Sequence, residues 1–174
     1  MQLLIMRNCL AIILTLSVSL LKAENGYDLW LRYTKISNPA LLAEYKKQIN
    51  SPAVLGSSQT ISIIKAELSK AFHGFTGTSY TISSSSNNSA TFIAGVASSS
   101  SIISSIITKD ELSRVGNEGF IIKAKPGKTI ITANTDIGLL YGVFHFLRPM
   151  QMQQPVTTLT VISSPKINLR LLNH

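Results

Sequence analysis

Acid–base and metal chemistry draw on carboxylates, imidazoles and thiols, and this sequence is sparing with all three. It holds eight acidic residues, three histidines and one cysteine. Asp28, Glu44, Glu67, Asp110, Glu111, Glu118 and Asp136 are the acids that stand within candidate structural elements. Two carboxylates facing each other across a cleft would do general acid and base work, but no spacing here singles out such a pair. Each acid has a simpler use as a helix cap or an exposed helix charge. His73, His145 and His174 lack a spacing suited to zinc. His73 closes an apolar-periodic run beside glycines, where contact with a helix C-terminal dipole accounts for it. His145 lies on an apolar helix, where a satisfied, half-buried ring is the ordinary role. There is no Gly-x-Ser-x-Gly, no phosphate-binding glycine loop and no reactive cysteine. No catalytic, cofactor-binding or metal-binding residue is assigned, and the residues alone read as a non-catalytic domain that needs no cofactor.

The first 23 residues have the form of a secretory signal: Arg7, an apolar run over residues 9–21, and Lys22-Ala23 before polar Glu24-Asn25-Gly26. The run falls short of the roughly 20 residues of a membrane-spanning helix, so a membrane is involved only if this segment stays uncleaved. Cys9 lies inside it, with no small-residue lipobox before it, so the mature chain has no thiol and must depend on its core. Removal leaves residues 24–174, enough for one ordinary domain. The net charge of the whole chain, +8, falls slightly but stays positive. Lys46-Lys47 and Lys123, Lys125, Lys128 are the densest basic groupings, and none alternates with aromatics as a nucleic-acid groove requires. Nucleic acid is therefore not expected. The charge reads as a solvated surface, suited to the neighbourhood of an acidic polysaccharide.

Gly26-Tyr27-Asp28-Leu29-Trp30-Leu31-Arg32-Tyr33 alternates in the manner of a first strand. Asn38-Pro39 predicts a helix start, followed by Leu41, Leu42, Tyr45 and Ile49 at helical spacing and ended by Ser51-Pro52. A second helix is predicted over residues 59–72, stopped by Gly74 and Gly77. Residues 79–83 and 91–96 read as strands around a polar turn, whose Asn87-Asn88-Ser89 is a chance sequon. Residues 98–105 read as a serine loop entering a short helix marked by Ile102, Ile103, Ile106 and Ile107. Thr108-Lys109-Asp110-Glu111 has the form of a capping box, with the turn closing at Gly116. Lys125-Pro126-Gly127-Lys128 between two β-branched runs predicts a hairpin. A helix over residues 136–147, capped by Thr135 or Asp136 and terminated by Pro149, is apolar nearly all round and predicts an interior position. Its Gly138 and Gly142 would admit a neighbouring backbone. Residues 157–163 form a last strand, and Ser164-Pro165 breaks it. Helices and strands interleave without repeats, which places the fold in the α+β or α/β class, a sheet layered with helices.

The run over residues 26–33, with Ile36-Ser37-Asn38-Pro39-Ala40-Leu41-Leu42, resembles the start of the mature chain of bacterial α-glucuronidases of glycoside hydrolase family 67. The hairpin and the stretch Ala133-Asn134-Thr135-Asp136-Ile137-Gly138-Leu139-Leu140-Tyr141-Gly142-Val143-Phe144-His145-Phe146-Leu147-Arg148 carry the resemblance further, and a looser form of that stretch recurs in the N-terminal domains of exo-acting hexosaminidases. The resemblance implies an α+β fold, a mixed β-sheet layered with helices that precedes a (β/α)8 barrel. It divides the chain into a signal peptide (1–23), the α+β domain (24–165) and the entry to a truncated barrel (166–174). The family's general acid and its paired basic carboxylates belong to that barrel, so none is carried over here. The implied enzyme is exported to the periplasm or beyond and hydrolyses the α-1,2 link of (4-O-methyl)glucuronic acid on xylo-oligosaccharides derived from glucuronoxylan. The implied partners are those oligosaccharides, through the full enzyme, and the enzyme's own barrel; a homodimer is left open. Serine-rich residues 83–89 and 98–105 depart from the family's pattern. A free-standing carbohydrate-binding module, with Trp30 as its platform, is the alternative expectation.

Overall fold

The structure is a computed structural model in which residues 31–166 are described. The chain divides into two compact units, Met1–Arg32 and Tyr33–His174, and the described helices and strands all belong to the second. Its described residues form five helices and five strands: α1 (Pro39–Gln48), β1 (Pro52–Val54), α2 (Gln59–Thr76), β2 (Phe92–Val96), α3 (Ser101–Ile106), α4 (Lys109–Ser113), β3 (Phe120–Lys125), β4 (Lys128–Ala133), α5 (Asp136–Gln151) and β5 (Thr160–Ser163). The strands make one mixed sheet in the order β1-β2-β4-β3-β5. β1, β2 and β4 run parallel, and β3 lies antiparallel to both β4 and β5. This is the α+β class, with a mixed sheet layered by helices.

Alternation along the strands sorts the core into two faces. Val54, Phe92, Ala94, Phe120, Ile122, Ile131 and Ala133 pack beneath α1, α2 and α5. Ala53, Ile93, Ile121 and Ile130 point the other way, beneath α3 and α4, with Ile103, Ile107 and Val115. The first face is aromatic. The ring of Phe92 meets Phe72 and Phe146, each at a centroid distance of 5.4 Å.

Local signals placed several boundaries. The Asn38 side chain accepts from the amides of Ala40 and Leu41 and caps α1 behind Pro39. Thr108 and Glu111 form the reciprocal capping box of α4. Gly127, at φ +76°, follows Pro126 in the two-residue loop of the β3–β4 hairpin, the backbone that only glycine adopts without strain. Gly138 and Gly142 do admit a neighbour: a Cβ on Gly138 would sit 2.5 Å from the carbonyl oxygen of Gly119.

Other boundaries were set by packing. α2 passes through Gly74 to Thr76, because Phe75 and Thr76 are buried and Tyr33 lies directly over the glycine. It ends at Gly77 in the left-handed region. α5 continues past Pro149 to Gln151, since Met150 is fully buried and its packing outweighs the lost hydrogen bond in the last turn. Nor is α5 enclosed on all sides, for Ile137 is 40% exposed and His145 and Arg148 face outward. Pro52, predicted to end the first helix, begins the edge strand β1, where its missing N–H is tolerated. The predicted strand over 79–83 shrinks to one bridge between Ser83 and Ala53, and the last strand starts only at Thr160. Residues 31–33 carry no strand, and the rest of the predicted first strand lies outside the described residues.

Candidate functional site

In open sheets with parallel strands, ligands favour the crevice beyond the strands' carboxyl ends. Here that end is defined by the exits of β1, β2, β4 and β5 and by the N-termini of α2 and α5. Its polar groups are engaged with one another. Ser58, the N-cap of α2, donates to the Asp136 carboxylate at 2.6 Å, which ties the starts of α2 and α5 together. The Asn134 amide donates to the carbonyls of Leu112 and Gly116, both at 2.9 Å. The Thr135 hydroxyl donates to the carbonyl of Asn117 and caps α5 by accepting from Gly138. Beside this pinned loop is a hollow of about 340 Å³ lined by Val115, Gly116, Asn117, Glu118, Ser164 and Pro165.

Three of the other candidate acids serve as structural acceptors. Glu44 accepts from the Val156 amide at 3.3 Å. Glu67 is buried and accepts from the Tyr33 hydroxyl. Glu111 combines its capping role with a 2.7 Å ion pair to Lys123. Lys123 first, and then the Thr108 amide, stabilise the ionised form and hold its pKa at about 2, against an ordinary 4.5. Asp110 sits in the first turn of α4, where a negative charge suits the helix dipole. His73 stands 3.3 Å from the Ser79 hydroxyl in the last turn of α2. His145 lies against Phe120 at 5.2 Å, and partial burial, then Arg148, lowers its pKa. Among the described residues, no group of three or more His, Cys, Asp or Glu is placed to hold a metal. Within the same residues, no helix is long and apolar enough to cross a membrane. Cys9, Asp28, Trp30 and His174 lie outside the described residues.

At the opposite end of the sheet the fold assembles a group that linear spacing did not show. Gln48, fully buried on α1, donates to the Lys125 carbonyl at 2.9 Å and to the Thr129 hydroxyl at 2.6 Å, and accepts from the Gly127 amide at 2.9 Å. These bonds clamp the hairpin tip to α1. As a result Lys47 is brought to the tip, its Cε 3.8 Å from where a Cβ on Gly127 would stand. Lys125 and Lys128 form the last cross-strand pair of the β3–β4 ladder. Lys128 donates to the Ala90 carbonyl at 2.5 Å, and burial, then Lys125, lowers its pKa. Among the described residues none of these three lysines has a carboxylate partner, whereas Lys123, on the same strand as Lys125, has one. The Gln48 clamp was not visible in linear spacing, because its partners on the hairpin stand about eighty residues along the chain.

The fold and these contacts define an α+β domain whose described carboxylates and histidines are largely built into caps, clamps and ion pairs. Residues 29–146, more than half of the chain, match the family described as Glycosyl hydrolase family 67 N-terminus, and the chain belongs to that family. No match was found among curated proteins.

Proposed function

We propose that this domain is the non-catalytic, supporting part of an exported α-glucuronidase that removes α-1,2-linked (4-O-methyl)glucuronic acid from xylo-oligosaccharides during xylan breakdown. The family match over residues 29–146 carries the reading. The structural employment of the acids supports it: Glu67, Glu111 and Asp136 each spend their charge on a local partner. Glycosidic hydrolysis requires a protonated and an ionised carboxyl flanking one bond, and a capping-box glutamate held at a pKa of about 2 is suited to neither proton donation nor shared work. In this reading the sheet and α5 brace a catalytic barrel, which supplies the acid and the base.

The test is direct. The purified chain, incubated with aldouronic acids, is expected to release no glucuronic acid. Saturable release would overturn the supporting role. Export is tested on the secreted product, whose first residue should be Glu24. Retention of the leader would instead make the protein membrane-tethered.

A further inference from the structure

The helices α3 and α4 are held to the sheet by few side chains, and one of these side chains holds both. We propose that residues 97–116 form a cover that unfolds locally as one unit, uncovering the aliphatic face of the sheet while the aromatic face stays folded, with Lys123 and Asn134 as its latches. The device is independent of the function proposed above.

The cover's own core is thin. α3 buries Ile103, α4 buries no residue, and Ile107 and Val115 beyond their ends complete the contact with Ile93, Ile121 and Ile130. Helices of six and five residues do not persist once undocked, so detachment and melting are one event. The conformational entropy returned to the chain then offsets much of the apolar area exposed. The ties to the sheet are concentrated as well. The Lys123 ammonium, on β3, donates to the Ile106 carbonyl at the end of α3 at 3.1 Å and to the Glu111 carboxylate of the α4 capping box at 2.9 Å. One side chain thus spans both helices. The Asn134 amide, just past β4, holds the carbonyls of Leu112 and Gly116, both at 2.9 Å. Both flanks of the segment can turn: Ala97–Ser99 is a 3-10 turn with no buried residue, and Gly116, at φ +61°, has open space where a side chain would stand. Beneath the cover, on the same face of β4 as Ile130, the buried Thr132 hydroxyl lacks a partner among the described residues. Opening would hydrate it, which lowers the cost of the open state.

Residue-resolved native-state hydrogen exchange on the whole chain tests this. The amides of Ile107, Leu112 and Val115, bonded within the cover to Ile103, Thr108 and Leu112, should share one protection factor. That factor should be about a hundredfold below those of the best-protected amides of α2 and β4. Lys123→Met and Asn134→Ala act at different points of the cover, and each should speed all three amides together, by about fivefold. Phe72→Leu, on the aromatic face, should speed the amides of α2 and β4 by about fivefold and leave the three cover amides unchanged, because the contacts of Phe72 persist in the open state. Equal acceleration of cover and sheet by Phe72→Leu would overturn the proposal, since the cover would then open only with the whole fold. A response of Ile107 and Leu112 to Lys123→Met without Val115 would overturn the single unit, as would a response of Val115 alone to Asn134→Ala. A thermal melt checks that each variant is folded, and Phe72→Leu, which leaves the cover untouched, keeps the test decisive if a latch variant is not.

Discussion

The two faces of the sheet are built from different materials. Beneath α1, α2 and α5 the core is aromatic, with Tyr45, Phe72, Phe75, Phe92 and Phe146 all fully buried. Beneath α3 and α4 the cluster is aliphatic and smaller, from Ala53 and Leu55 to Ile121 and Ile130. The covering helices differ in the same way. α2 and α5 are long enough to present several turns to the sheet, while α3 and α4 have six and five residues. Helices that short do not persist alone in water. Local bonds help hold them: Ser100 caps α3, Ser104 and Ser105 donate back to carbonyls of its own turns, and Thr108 and Glu111 box α4. One face stands on buried area, and the other leans on capping and the Glu111–Lys123 ion pair.

Neighbouring residues of β2 give the sharpest way to break that comparison, since Phe92 enters the aromatic face and Ile93 the aliphatic one. Phe92→Ala should destabilise by about 4 kcal/mol and Ile93→Ala by about 3 kcal/mol, read from urea midpoints at unchanged slope. A larger cost at Ile93 would reverse the assignment of the dominant face. Gly138→Ala probes how closely α5 lies on the chain at Gly119. Its Cβ would meet a backbone oxygen at 2.5 Å, so a loss of about 1–3 kcal/mol is expected in the same measurement. On the aliphatic side, the buried Thr132 hydroxyl has no partner. Thr132→Val should therefore stabilise, by up to about 1 kcal/mol, and a loss of stability would show that the hydroxyl is satisfied in solution.

The smallest effect belongs to the ion pair. The folded pKa of Glu111 is depressed, so its contribution is fully present above the unfolded value near 4.5 and is lost as pH falls toward about 2. Glu111→Gln should lose less stability than wild type between pH 5 and 2. Parallel acid-unfolding curves for the two proteins would show that the pair does not stabilise the aliphatic side.

Elements whose ends are set by a few adjacent residues were legible in the sequence. Asn38-Pro39, Thr108 with Glu111, and Pro126-Gly127 each satisfy or remove a backbone group within a few positions, so the chemistry needs no distant partner. Elements that break a local rule were not. Gly74 and Pro149 read as stops, yet both sit inside helices because Phe75 and Met150 are drawn into the aromatic core. β1 was hidden because Pro52 resembles a terminator, and its pairing with Phe92 lies some forty residues away. The acids were correctly read as caps or surface charges at Glu111 and Asp110, but the burial of Glu67 under Tyr33 had no local sign.

By itself the sequence determined the class, the alternation of helix and strand, the hairpin and the family resemblance, since these reside in propensity, capping chemistry and short-range order. Only the tertiary structure decided which strands neighbour one another, where the helices truly end, and which side chains clamp the hairpin. Gln48 illustrates the reason. Its amide is one polar side chain on a helix until burial obliges it to find partners, and the partners it finds, at Lys125, Gly127 and Thr129, bring Lys47 to a hairpin some eighty residues away.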